Sequence, residues 1–337
     1  MEITVIVPVK DRREYIGKTL DSIRKASTAP DEIIIVDNES TDGTYQFCEQ
    51  YIKDRPEITL LRETFPGPSA ARNKGLRSCK TEWVYFFDSD DEFDYDFISC
   101  LDRLALADYD MIAVPTKMNV HGKDVVRTFI PTADPRVQML AGVLNTQGMV
   151  FRTSFLKDIG AWNTECRIWT DWELGLRVLM HQPKILWYTE RAFHSINVHN
   201  NSITGSSFSE SYKQLIRTLS VVLSSLQSSI LQPLSSYHKQ HLSCLYPHLD
   251  SLVFPLYLRT SILLGKMEQE RLTGKSKRYK MAAKALTIFR NDNFQVTSNE
   301  KFIGNCLRLY TKWGGRGAWK LALAISQAEH KTKKRQK

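Results

Sequence analysis

Residues 83–93 read WVYFFDSDDEF, and this stretch decides the fold. Trp83 to Phe87 is an unbroken apolar run, the pattern of a strand buried on both faces. It ends on Asp88, and Asp90 and Asp91 follow directly after Ser89. Carboxylates this close repel one another unless a cation or solvent relieves them. In an open parallel sheet, ligands bind beyond the carboxyl ends of the strands. The stretch therefore predicts a buried strand that delivers an oxygen-ligand site suited to Mg²⁺ or Mn²⁺.

Working outward, the same texture repeats. Ile3 to Val9 is a β-branched run and Glu32 to Val36 a second one. Ile58 to Leu61 is a third. Between them, Ile16, Leu20 and Ile23 recur at helical spacing, Tyr45 to Ile52 reads as a helix, and another begins near Ser69 after the Gly67-Pro68 turn. Strands alternating with helices predict an α/β fold: a mostly parallel sheet with helices on both faces. From Met111 the pattern is mixed. Strands are expected at Met111 to Val114, Val125 to Ile130 and Ile185 to Thr189, with a turn at His121-Gly122. Thr170 to Glu173 reads as a capping box that opens a helix. Beyond Gly205, apolar residues recur at helical spacing, so 206–330 is expected to be a helical C-terminal region. The basic run 331–337 is expected to be disordered.

Composition excludes several classes. The chain has 337 residues, 42% of them hydrophobic and 25% charged, a balance ordinary for a globular protein. No apolar run reaches the roughly 20 residues of a membrane-spanning helix. No secretory signal is read at the N-terminus, which predicts a cytoplasmic protein. The six cysteines form no Cys-x-x-Cys pair, so free thiols are expected rather than a zinc or redox site. Charge is divided unevenly. Residues 1–205 hold 24 Lys+Arg against 30 Asp+Glu, whereas residues 206–337 hold 22 against 7. The second region is thus strongly basic. Without an aromatic-interleaved basic strand, helix-turn-helix or zinc finger, nucleic acid is not expected. An anionic membrane surface is the partner that charge favours.

Six segments now fall into a familiar order: VIVPVKDR at 5–12, VDNESTDGT at 36–44, GPSAARNKGL at 67–76, FFDSDDEF at 86–93, TDWELGLR at 170–177 and VHNNSIT at 198–204. In this order they resemble the family 2 glycosyltransferases of the GT-A fold, over residues 1–205. The resemblance implies an inverting transfer of sugar from a nucleotide diphosphate donor, with UDP the expected nucleotide. The acceptor would be a saccharide or lipid-linked molecule, as in cell-surface polysaccharide or glycan synthesis, with the enzyme peripheral on the inner face of the membrane. It assigns Pro8 and Asp37 to the nucleobase, Arg72 and Asn73 to the segment closing over base and ribose, and Asp88 to the ribose. Asp90 and His199 would bind the metal, Asp91 the donor sugar or the metal's surroundings, and Gln147 and Gly148 the acceptor. Asp171 would be the general base. Asn38 stands where many members carry a second Asp, and Thr170 where most have Glu.

Two other readings remain open at this point. A nucleotidyltransferase acting on sugar phosphates also pairs an α/β sheet with a metal-bound diphosphate. It usually shows a Gly-rich loop after the first strand, where this chain has Pro8, Val9 and Lys10. The other is a basic nucleic-acid- or membrane-binding protein with an inactive glycosyltransferase-like domain, against which the intact Asp88, Asp90 and Asp171 argue.

Overall fold

The structure is a computed structural model. It describes residues 1–120, 122–197, 207–231 and 249–335. His199 and the VHNNSIT segment lie outside the described residues. By internal packing the chain forms two units. The first takes Met1–Pro131, Leu144–Leu174 and, of the described residues that follow, 183–197. The second takes Thr132–Val143, Gly175–Gln182 and the C-terminal region.

The first unit is built on strands β1 (Ile3–Val9), β2 (Glu32–Asp37), β3 (Ile58–Arg62), β4 (Trp83–Phe86), β5 (Met111–Ala113), β8 (Met149–Arg152) and β9 (Ile185–Trp187). They form one sheet in the order β3-β2-β1-β4-β8-β5-β9. Every neighbouring pair is parallel except those made by β8, which runs antiparallel to both β4 and β5. Helices α1 (Ile16–Arg24), α2 (Thr44–Tyr51), α3 (Pro68–Ser78) and α4 (Phe97–Asp102) connect or flank the first strands. Alternation along β1 sorts the two faces. Ile3, Val5 and Val7 join Ile16, Leu20 and Ile23 of α1 and Phe97 of α4 in one core cluster. Ile6 points the other way, against α3 at Gly75. Helices thus cover both faces, and the strands are buried runs rather than half-exposed ones.

A second, three-stranded sheet has the order β10-β6-β7, from β6 (Thr116–Val120), β7 (Lys123–Val126) and β10 (Phe193–Asn197). Of the turn expected at His121-Gly122, His121 lies outside the described residues, and Gly122, just before β7, has φ +80°. The strand expected at Val125 to Ile130 is shifted: β7 starts at Lys123, and each of its four residues is exposed. An antiparallel hairpin partner needs no core, so its residues carry no burial signal.

The described helices of the second unit include α5 (Pro135–Ala141) and five long C-terminal ones. These are α8 (Tyr212–Leu231), α9 (Val253–Leu272), α10 (Tyr279–Asn293), α11 (Ser298–Lys312) and α12 (Ala318–Arg335). α6 (Thr153–Asp158) belongs to the first unit, and α7 (Thr170–Met180) begins there. Thr297 caps α11 in a reciprocal box with Glu300. The helix α12 continues to Arg335, so the basic run expected to be disordered is helical to that point. Lys and Arg are good helix formers, and no Gly or Pro interrupts the run.

Candidate active site

The site residues are carried to one edge of the sheet by the carboxyl ends of β1, β2 and β4. Parallel strands put their chain ends together, so three loops distant in sequence become neighbours. The loop after β1 is tied to the loop after β2. Asp11 adopts φ +51°, its Oδ1 accepts from the Thr41 backbone N–H at 2.7 Å, and the Arg12 N–H donates to Thr44 Oγ1 at 2.9 Å. Arg12 then reaches the loop after β4, where its Nε donates to Asp90 Oδ2 at 3.0 Å.

Asp37 ends β2, paired in register with Val9. It is only 1% exposed. Its Oδ2 accepts the Ser40 N–H at 3.2 Å, while its Oδ1 is buried with no hydrogen-bond partner. A buried carboxylate oxygen without a donor is costly, and a ligand N–H would relieve it. Pro8 lies beside it, partly exposed and paired with Val36. Asn38 acts as a clamp. Its Nδ2 donates to the carbonyls of Glu63 and Phe65, and its Oδ1 accepts the Gly67 N–H at 2.7 Å. A carboxylate cannot donate, so Asn does here what Asp at this position would not do.

Arg72 is 5% exposed, which removes any reading of it as a surface helix residue. Its Nη2 donates to Asp88 Oδ1 at 2.8 Å, its Nη1 to Thr170 Oγ1 at 3.4 Å, and its guanidinium stacks 4.4 Å from the Trp162 ring centre. Asn73, beside it, is tied to Trp162. Its Nδ2 donates to the Trp162 carbonyl and its Oδ1 accepts the Trp162 N–H, at 2.8 and 3.0 Å. Both ends of the amide are engaged in holding Trp162, the platform under Arg72.

The three carboxylates after β4 differ. Asp88 is partly exposed; desolvation raises its pKa, Arg72 opposes that, and Asp90 and Asp171 push it up further. Asp90 forms an ion pair with Arg12. Asp91 is 4% exposed. Gln147 Nε2 donates to its Oδ2 and the Asn197 N–H to its Oδ1. Burial and the charges of Asp88 and Asp90 nevertheless raise its pKa to about 8. Both oxygens of Asp91 are thus occupied within the protein. The Gln147 amide is committed to Asp91, and its backbone carbonyl accepts from the Tyr85 hydroxyl at 2.9 Å. Gly148 is confined: a Cβ there would lie 3.0 Å from the Val114 carbonyl oxygen. Gln147 therefore positions Asp91, and Gly148 permits the close approach of two backbones.

Asp171 is half-buried in the first turn of α7, and its Oδ1 accepts the Trp172 N–H at 2.9 Å. The capping arrangement differs from the expected one. Thr170 is already helical, and its hydroxyl receives Arg72 instead of capping. Asp171 is close enough to raise Asp88 electrostatically, so it shares the space in front of β4. His194, a nearby alternative to His199, is 1% exposed. Its Nδ1 accepts the Asp94 N–H, its ring packs among Tyr85, Phe87, Phe93 and Phe97, and burial holds its pKa well below the ordinary value. It is a neutral core histidine. Among the described residues, no group of three His, Cys, Asp or Glu is arranged to hold a metal.

Residues 4–137 match the family described as Glycosyl transferase family 2. The family likeness rests on this segment, which is under half of the chain. The chain is 30% identical over 167 residues to the poly(ribitol-phosphate) β-N-acetylglucosaminyltransferase TarS of Staphylococcus aureus, spanning 47% of this chain and 29% of that protein. It is 37% identical over 100 residues to the glycosyltransferase GlyA of Streptococcus pneumoniae, spanning 30% of this chain and 14% of GlyA. The chain thus spans well under half the length of these curated relatives. The crystal structure of S. aureus TarS 1–349 in complex with UDP-GlcNAc superposes with a TM-score of 0.56 at 19% identity, covering 88% of this chain and 93% of that one. The fold is of the GT-A type.

Sequence reasoning passed over Arg12 and Trp162. Arg12 was within reach: it follows a strand that ends at the ligand edge, and an acidic cluster there needs a counter-charge. Trp162 carries no comparable signal, because its role arises only from long-range packing against Arg72.

Proposed function

We propose that this chain is an inverting glycosyltransferase that takes a sugar from a UDP-sugar and transfers it to a saccharide or lipid-linked acceptor in cell-surface polysaccharide synthesis. The observation that carries this reading is the buried, unpartnered Oδ1 of Asp37 on the same strand-end edge as Asp88 and Asp90. A carboxylate only accepts hydrogen bonds, and the imide N–H of uracil is a donor of matching chemistry. TarS, whose fold is shared, has been solved with UDP-GlcNAc. The match of residues 4–137 to glycosyl transferase family 2 favours glycosyl transfer over the nucleotidyltransferase reading.

In this account Asp171 takes the proton of the acceptor hydroxyl as its oxygen attacks the anomeric carbon. The bond from that carbon to the diphosphate oxygen breaks, and the nucleoside diphosphate leaves with the electron pair. A single displacement inverts the anomeric configuration. The donor set fits a divalent cation: carboxylate oxygens of Asp88 and Asp90, with Asp88 raised partly by its charged neighbours. Asp88 and Asp90 would hold Mn²⁺ or Mg²⁺, which when bound neutralises charge on the diphosphate. Arg72 holds Asp88 in place, and Arg12 orients Asp90. A groove of about 840 Å³ lies against Asp90 and Asp91, lined also by Tyr15, Lys18, Tyr95 and Asn119. Its size and its mix of aromatic and polar groups suit a saccharide acceptor. One observation favours a metal-free variant: both Asp88 and Asp90 already face an arginine, and arginines also neutralise phosphate.

Titration calorimetry with UDP, UDP-GlcNAc, UDP-glucose and GDP-mannose, in Mn²⁺ and in chelator, separates these readings. Uridine nucleotides are expected to bind with Mn²⁺, and Asp90→Ala is expected to abolish the Mn²⁺-dependent part with the melting temperature little changed. Equal UDP affinity with and without metal, in both proteins, selects the metal-free variant. No nucleotide binding under any condition overturns the proposal.

A further inference from the structure

The helix α11 is apolar on two opposite sides. On the inner side Gly304, Leu307 and Thr311 are buried, and Gly304 lies so close to α9 that a Cβ would sit 2.4 Å from the Tyr257 ring. That contact fixes which side faces the unit's core. On the outer side Phe302 is 70% exposed and Leu309 and Tyr310 are each 44% exposed. Trp313, capping the helix, is 73% exposed. At about 100° per residue, positions 302, 306, 309, 310 and 313 share an arc of about 100°, and Cys306 within it is also exposed. An apolar helix face left in water marks an interaction surface more often than chance placement does.

Charge identifies the occupant. Residues 206–337 hold 22 Lys+Arg against 7 Asp+Glu, a net of +15. Lys301 and Lys312 border the stripe, and the Lys312 ammonium sits 5.5 Å from the Trp313 ring centre. Two copies that each carry this net charge repel, which opposes a second copy of this chain. Aromatic rings at the level of lipid headgroups, bordered by lysines, are the pattern of a helix lying in a negatively charged bilayer surface. Among the described residues no helix is long and apolar enough to cross a membrane.

We propose that the outer face of α11, with Phe302, Leu309, Tyr310 and Trp313, docks this protein peripherally onto an anionic lipid surface. The proposal is independent of the catalytic reading, because its readout is binding to vesicles. The full chain is floated with vesicles of phosphatidylcholine alone and of phosphatidylcholine with phosphatidylglycerol, at low and high salt. The wild type is expected to float with the anionic vesicles at low salt and less so at high salt. The variant Phe302→Ser/Leu309→Ser/Trp313→Ser is expected to lose partitioning by at least about tenfold, with its melting temperature and nucleotide binding retained because the positions are exposed. A second variant, Lys301→Glu/Lys312→Glu, keeps the apolar stripe and is expected to weaken binding to anionic vesicles alone. Absence of wild-type flotation at low salt overturns the proposal. So does equal flotation with neutral vesicles, or an unaffected triple variant. A wild-type dimer that the triple variant dissolves, without vesicle binding, assigns the face to a second copy instead.

Discussion

Asp91 shows burial prevailing over hydrogen bonding. Gln147 and Asn197 donate to its oxygens, which favours the charged form, yet burial and the neighbouring Asp88 and Asp90 set its pKa at about 8. An unfolded Asp titrates near 3.9. Between these values the native state binds more protons than the unfolded state, so this group's contribution to stability falls as pH rises from about 4 to about 8. Asp91→Asn removes that titration. The melting temperature of the variant relative to wild type is expected to rise across this window and level off above it. A difference that stays constant with pH assigns Asp91 an ordinary carboxylate pKa. At this scale the sequence disclosed residue types better than their tasks. The strand-end positions of Asp37, Asp88 and Asp90 were legible, because each follows a continuous apolar run. The engagement of Asn73 with Trp162, and of Gln147 with Asp91, was not legible. A polar side chain's partner is chosen by tertiary packing, and the partners here are 89 and 56 positions away.

Among the elements, the packing of α3 on β1 sets the frame of the site, because α3 carries Arg72 and β1 leads into Arg12. The two approach closely at Gly75, where a Cβ would stand 2.6 Å from Ile6 Cγ2. Gly75→Ala is expected to destabilise the protein by about 1–3 kcal/mol through overpacking, despite the higher helix propensity of Ala. Chemical denaturation measures this; an unchanged or raised stability contradicts the close-packing account. The first four strands were legible because each is a continuous apolar run between helical patterns. β8 and β10 were not. β8 sits antiparallel between β4 and β5, and β10 pairs with β6 after some 70 intervening residues, so neither follows the local strand-helix rhythm. The first turn of α7 illustrates the same limit: Thr-x-x-Glu spelled a capping box, but Arg72 claims the Thr170 hydroxyl.

For the whole molecule, an acidic sheet unit carries the strand-end carboxylates and a basic helical region presents an apolar face. That division was visible in the charge count alone, and the family order of six segments gave the GT-A fold, since strand order and loop chemistry are both local in sequence. The central claim is that the edge formed by β1, β2 and β4 binds a nucleotide sugar for a transfer in which Asp171 is the base. The most direct test is a pair of quantities measured on wild type and Asp171→Asn: affinity for UDP with Mn²⁺, and the rate of UDP release from the nucleotide sugar that binds, in the presence of an acceptor. The account predicts unchanged affinity, a rate lower by about 10²–10⁴-fold, and loss of the acidic limb of the wild-type pH–rate profile. A variant that releases UDP at the wild-type rate with the same pH profile would contradict it, and the base would have to be sought elsewhere, with Glu173 the next carboxylate in line.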